Sequence, residues 1–377
     1  MRAGTFVYPW DVVGDPAAPG RLADLGVAQA TLASAYHSTR ALTPRHPAHR
    51  IVTAEHAAVL YPPDPARWSG RDLRPYPAGE WAPGDAYGQA AEALAGAGLE
   101  VLSWVVLAHN SRLGAEHPET SVVNAYGDRY PWAPCIARPD VRAFLVDLAA
   151  EAAVRPGAAG TELESCGWYG LAHLHAHDKT AGVPLGDAEQ YLMSLCFCPS
   201  CRQGYGEEGL DPDELAAAVR GALEPAWAGG PAGGLGAVEA DAVLSWRTRT
   251  ARAFQEAAVG AVRAAAPPGF RVLLHADPLP HRCGANVGTD PAHVLGLADG
   301  VVTPAASVAP FAPHAGPASV IAANLQVVTG MGGSPRTLAD DAKRAAAAGA
   351  TELRLYHAGL ASTPDLTAVR DALRTLG

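Results

Sequence analysis

The chain has 377 residues, 49% of them hydrophobic and 18% charged, a globular composition with ample material for a core. Its formal net charge of −10 repels a polyanion, and with lysine only at Lys179 and Lys343 no basic run offsets it, so nucleic-acid binding is excluded as the main task. No apolar run reaches the roughly 18 residues of a membrane span, and "MRAGTFVYPW" lacks a signal-peptide apolar core; a cytoplasmic protein without membrane attachment is expected.

Strand-like and helix-like segments alternate from the start. Residues 4–10 ("GTFVYPW") read as a first strand, "PGRLADLG" as a short helix and residues 27–37 as a second strand. A loop rich in Pro and His follows, to about residue 83. "GDAYGQAAEALAGAG" reads as a helix with a Gly stop, residues 100–110 as a third strand, and "RPDVRAFLVDLAAEAA" as a helix with Pro in its first turn. Residues 160–165 form the fourth strand, and an insertion over 166–236 carries a cysteine cluster. The longest helix comes next. Strands five to eight are expected at 270–277, 298–304, 319–328 and 351–359, with "LADDAKRAAAAG" and "PDLTAVRDALRTLG" as the last helices. No good helix follows the sixth strand. Eight strands mostly separated by helices predict an α/β fold, a (β/α)8 TIM barrel formed by residues 1–377 as one domain, with long insertions after strands 2 and 4. An open doubly wound sheet would place a Gly-rich phosphate loop after its first strand, and "YPWDVVGDP" is not one.

In a barrel, alternate residues point inward and the others pack under helices. Polar residues at period two then mark the inward face: Gln29 and Thr31 lead to His37, Ser103 leads to His109, and Leu163 outward leaves Glu162 and Glu164 inward. The same parity puts Arg271, His275 and Asp277, Asn324 and Gln326, and Glu352, Arg354 and Tyr356 inside. Sites on such barrels lie at the C-terminal strand ends, so His37, His109, Glu164, His275, Asp277, Gln326 and Tyr356 gather at one mouth, with Trp10 and Asp11 from the first strand end. Asn110, Trp168, His173 and His175 border it. This set of carboxylates, imidazoles and aromatics has no phosphate cradle, and it suits a neutral, hydroxyl-rich ligand such as a sugar. Glu162, one layer deeper, is expected to pair with Arg271 or Arg354, because an unpaired buried charge is costly.

"SLCFCPSC" places Cys196, Cys198 and Cys201 close enough to grip one ion, and tetrahedral zinc needs a fourth ligand. Cys135, on the loop after the third strand, leads; Cys166 and Cys283 are the alternatives. A structural Zn2+ is expected and no organic cofactor.

"CFCPSC" preceded by a strand-end Glu resembles the family 42 β-galactosidases, and the stretch from "SWVVLAHN" to "APCIARPDVRAFL" is similar to bacterial glycoside-hydrolase-like barrels; the resemblance covers roughly residues 100 to 205. It implies that Glu164 is the acid/base, and that Cys196, Cys198 and Cys201 share a zinc with Cys135. Two positions depart from the family. Leu163 stands where the family has Asn, and Gln326 stands at the seventh strand end where the family has its nucleophilic Glu, so the family's double displacement does not carry over.

Glycoside hydrolysis usually needs two carboxyls, and Asp277 or Asp11 is the candidate partner of Glu164, with Trp168 or Tyr169 as an apolar wall. A second reading is a metal-dependent hydrolase using His173, His175 and His177 of "AHLHAHDK" with Asp178. A third is a barrel that binds a carbohydrate without cleaving it. The expected partner in each is a small molecule, and a homo-oligomer is compatible with the sequence.

Overall fold

Runs of Val, Leu, Ile and Ala broken by single polar residues form eight strands: β1 (Arg2–Val7), β2 (Gln29–Tyr36), β3 (Glu100–Val106), β4 (Ala158–Glu164), β5 (Arg271–Asp277), β6 (Gly300–Pro304), β7 (Val320–Gln326) and β8 (Glu352–Tyr356). The structure is a computed structural model that describes residues 1–171, 179–180 and 182–376. Each strand pairs in parallel with its neighbours in chain order, and β8 pairs with β1, which closes the sheet into a barrel. The helices around it are α1 (Ala18–Ala23), α2 (Ala86–Gly96), α3 (Pro139–Ala153), α4 (Asp187–Met193), α5 (Pro199–Glu207), α6 (Pro212–Trp227), α7 (Ala237–Ala265), α8 (Pro291–Leu297), α9 (Leu338–Ala347) and α10 (Thr363–Leu376). After β6 the chain makes only the 3-10 turns Ala305–Ser307 and Ala312–His314 before β7, in keeping with the missing helical pattern there. Among the described residues no helix is long and apolar enough to cross a membrane.

The segment between β2 and α2, expected as a loop, holds an antiparallel hairpin of Thr39–Leu42 with Ile51–Ala54 and the short strand Ala58–Val59, which pairs with the end of β2. It is fastened to the barrel wall by the buried Glu151 of α3, whose carboxylate accepts hydrogen bonds from Asp64 N (2.6 Å), Trp68 Nε1 (2.8 Å) and Tyr61 Oη (3.3 Å). Between β4 and β5 stand α4, α5, α6 and the 29-residue α7, which packs against α3.

Outward residues such as Val101, Val105, Leu163, Val272, Leu274 and Leu353 form the layer under the helices. The interior carries a column of charge instead. At its base Glu100 meets Arg2 (2.7 Å), Gln29 (2.6 Å) and Arg271. Arg271 reaches Glu352 (3.5 Å), Glu352 accepts from Arg354 (2.9 Å), and Arg354 donates to Glu162 (2.5 Å). Gly4 makes room for this guanidinium; a Cβ there would stand 3.2 Å from the Gln29 Cβ and 3.4 Å from Arg354 Cδ. Of the two arginines expected for Glu162, Arg354 is the one in contact.

The parity read from Ser103 is corrected. Trp104, not Ser103, faces the interior, together with Leu102 and Val106. The Ser103 hydroxyl turns outward to the Ala153 carbonyl (2.7 Å) at the end of α3, where helix carbonyls have no partner further along the helix. Ser34 does the same for Ala152 (2.7 Å). The β2–β3 register shifts between Ala33 and Ala35, a bulge that turns Tyr36 inward and interrupts the alternation counted from Thr31. His37 and His109 still reach the mouth, because both lie beyond the regular strands.

Candidate active site

Glu164 is the last residue of β4 and is 8% exposed. Trp104 Nε1 donates to its Oε2 at 2.8 Å, and His275 Nδ1 lies 3.9 Å from the same oxygen. The other nitrogen of His275, Nε2, is 3.3 Å from Glu162 Oε2. Burial alone would raise the Glu162 carboxyl; the Arg354 guanidinium, with help from His275, overrides it and holds the group at about 2. The chain turns sharply after Glu164: Ser165 has φ 55, a left-handed conformation costly for a residue with a Cβ, and its N–H is tied to Ala285 O at 3.0 Å.

Aromatic rings line the β1–β4 side of this carboxyl. Trp10 stacks on Tyr8 (centroids 4.6 Å), Tyr8 meets Tyr36 (4.9 Å) and His357 (4.3 Å), and Tyr36 stacks on His37 (4.2 Å). His37 then meets His109 (4.5 Å), and His109 stacks on Tyr169 (4.5 Å), whose hydroxyl is 3.2 Å from His109 Nδ1. Burial pushes the Tyr8, Tyr36, Tyr169 and Tyr356 phenols up, so all four stay neutral hydrogen-bonding groups. Burial also pushes His37 and His357 below the ordinary imidazole value, His357 to about 3. Tyr356 faces Phe6 at 5.5 Å.

Other expected residues have local structural partners. Asn110 Oδ1 accepts from Leu113 N (2.9 Å) and caps the short helix Ser111–Glu116. Trp168 turns its indole to α7, donating to Arg247 O (2.9 Å) with the Arg247 guanidinium 4.4 Å above its ring. Gln326 Oε1 accepts from Val328 N (3.2 Å) at the end of β7. His173, His175, His177 and Asp178 lie outside the described residues. Tyr8, Tyr36, Trp104 and His357 belong to this site and escaped the sequence reading. Trp104 was recoverable, since an indole amid Val residues needs a partner for its N–H when buried.

The two carboxyls offered as partners of Glu164 sit differently. Asp277 ends β5 on the inward face and gives one oxygen, Oδ1, to Leu279 N (2.9 Å). Asp11 lies among outward-layer residues, lining a small cavity with Val7, Leu22, Arg45 and Leu366. Its Oδ2 accepts from Tyr8 N (2.8 Å) while Oδ1 is buried without a partner. Burial raises its carboxyl to about 7. A carboxyl raised in the fold is harmless below its ordinary value of 3.8 and costs stability as pH climbs through about 7. Asp11→Asn is therefore expected to raise the melting temperature at pH 8 and to change it little at pH 4, read by calorimetry at both.

Four buried thiols stand apart from the mouth. The Sγ atoms of Cys135, Cys196, Cys198 and Cys201 all lie within 4.8 Å of one another, with Cys135 at 3.6 Å from both Cys198 and Cys201. Sulfurs around a tetrahedral zinc at about 2.3 Å are about 3.8 Å apart, so the set fits a metal. Backbone N–H groups of Cys198 (3.4 Å) and Val123 (3.5 Å) point at Cys196 Sγ, as a thiolate requires. Cys166 and Cys283 are elsewhere: Cys283 Sγ accepts from Arg247 (3.0 Å), and Cys166 is buried behind Glu164. Geometry thus selects Cys135 as the fourth member.

No family model matches the chain, and neither does any curated protein. Solved structures do. An α-L-fucosidase from Paenibacillus thiaminolyticus superposes with a TM-score of 0.62 at 13% identity, over 100% of this chain and 49% of that one. The PgaB (BpsB) glycoside hydrolase domain from Bordetella bronchiseptica gives 0.60 at 16% identity, over 99% of both chains. A family 42 β-galactosidase from G. stearothermophilus, Gan42B, gives 0.58 at 11% identity, over 100% of this chain and 56% of that one. At these identities the likeness is one of fold, the TIM barrel these glycoside hydrolases share.

Proposed function

We propose that the chain is a glycoside hydrolase acting on a sugar at the C-terminal barrel mouth, with Glu164 as general acid/base and Asp277 as the second carboxylate. The observation that carries this is the setting of Glu164. It is a strand-end carboxyl held by an indole N–H and walled by stacked aromatic rings, and the fold is one that glycoside hydrolases use. Aromatic faces stack on the apolar side of a sugar ring, and neutral phenols and imidazoles bond its hydroxyls. Asp277 is preferred to Asp11 because it ends an inward strand position beside β4, whereas Asp11 lies behind β1. The seventh-strand end offers only Gln326, an amide that cannot act as a carboxylate nucleophile. This favours one alternative, a barrel that binds a sugar and leaves it intact. Turnover of a panel of 4-nitrophenyl glycosides by the wild-type chain decides between them. Release of nitrophenol supports hydrolysis, and saturable sugar binding without release supports the binder.

The four-cysteine cluster is assigned to a structural zinc. With four thiolates it would have no open position for water or substrate, so it supplies cross-linking and takes no part in turnover. Elemental analysis is expected to find about one zinc per chain. Chelation or Cys198→Ser should lower the melting temperature by on the order of 5–10 °C. A metal-free chain with an unchanged melting temperature would contradict the assignment.

A further inference from the structure

We propose that His275 is the positioning residue of Glu164, and that it fixes Oε1 as the carboxyl oxygen that exchanges a proton with substrate. The proposal rests on the reading of Glu164 as acid/base. The imidazole is 3% exposed and lies edge-on between two carboxylates of β4, with Nε2 3.3 Å from Glu162 Oε2 and Nδ1 3.9 Å from Glu164 Oε2. Glu162 is held ionised by Arg354, and an ionised carboxylate only accepts hydrogen bonds. Nε2 of His275 must therefore carry a hydrogen. Its ring is fixed by that bond, and Nδ1 faces Glu164.

On the Glu164 side, both neighbours converge on one oxygen. Trp104 from β3 donates to Oε2, and His275 from β5 closes the interior flank of the same atom. Oε1 has no hydrogen-bond partner among the described residues and is not sealed from solvent. A carboxyl whose Oε2 is hydrogen-bonded to the indole on one side and flanked by the imidazole on the other has that oxygen turned to the interior, so the other oxygen is presented to the mouth. The chain of control runs from Glu352 and Arg354 through Glu162 to His275, and ends at the reacting group.

The test combines spectroscopy with kinetics. Nitrogen-15 spectra of histidine-labelled wild-type protein, with His275 assigned by its loss in His275→Gln, are expected to show a hydrogen on Nε2. If that variant does not fold, the resonance is assigned by its loss in His275→Asn. Glu164→Gln, which removes the carboxylate 3.9 Å away, is expected to move the Nδ1 resonance while Nε2 stays in place. A bare Nε2, or an Nδ1 unmoved by Glu164→Gln, overturns the proposal whatever the enzyme hydrolyses. On any 4-nitrophenyl glycoside that the wild type cleaves, His275→Ala is expected to lower kcat about 10- to 100-fold with KM within about twofold, and His275→Gln to recover part of the loss. An unchanged kcat in His275→Ala overturns it. Absence of turnover in the wild type would instead remove the hydrolase reading, and the nitrogen spectra would still decide how the imidazole is held.

Discussion

Glu164→Gln is expected to lower turnover of alkyl glycosides by roughly 10²–10⁴-fold, and of 4-nitrophenyl glycosides by less, with the melting temperature within about 2 °C of wild type. The amide has the size of the carboxyl and can still accept from Trp104 Nε1 through its oxygen, so the packing around β4 is kept. What is lost is the proton that must reach the glycosidic oxygen as the bond breaks. The loss should therefore depend on the leaving group. A nitrophenolate departs with little help, while an alkyl alcohol must be protonated, so kcat on alkyl glycosides should fall further than on aryl ones. Steady-state kinetics across such a series checks this. Equal turnover in mutant and wild type would remove Glu164 from the mechanism, and an equal loss on every leaving group would reassign it to substrate binding.

Arg354→Met should cost on the order of 3–5 kcal/mol, the usual penalty for stranding a buried charge. Arg354 is fully buried and is the direct ionic partner of Glu162 and Glu352, so its removal leaves two carboxylates without their nearest cation. The penalty should depend on pH. In the fold Glu162 is held at about 2 against an ordinary 4.5. A carboxyl lowered in the fold contributes stability above its ordinary value and loses it as pH falls toward the folded one. The shift corresponds to about 3 kcal/mol. Urea denaturation should show the gap between wild type and Arg354→Met wide at pH 7 and narrower near pH 3. A gap that does not change with pH would mean that the arginine stabilises by packing alone.

The barrel was legible because its strands obey period two against an apolar outer layer; the unit that fitted least well, "VVTP" with no helical pattern after it, has only 3-10 turns there in the structure. The inward identities on β4, β5, β7 and β8 followed from the same rule, including the pairing of Glu162 with an arginine. On β2 and β3 the rule broke. A serine normally marks a polar face, but Ser34 and Ser103 serve carbonyls at the end of α3, so their hydroxyls are satisfied on the outside. The bulge near Ala33 cannot be read from residues of such similar size. Trp104 was lost with the Ser103 parity, and the aromatic ladder with it. Cys135 could be ranked first from loop adjacency, but only the fold brings its sulfur to 3.6 Å from Cys198 and Cys201, which lie 63 and 66 residues further along.

That separation has a consequence for the chain as a polymer. An ion shared by Cys135 and Cys198 would close a ring of backbone 63 residues around, and α3, β4 and the turn at Ser165 all lie on it. Closing a ring of that length removes roughly 4 kcal/mol of conformational freedom from the unfolded chain, by the same statistics that apply to a disulfide. Glu164 sits within that ring, and the left-handed turn that aims it would then be borne by a closed circuit, without relying on local contacts alone. Drawing out the ion would lengthen the tether at both ends of β4 and let the turn relax first.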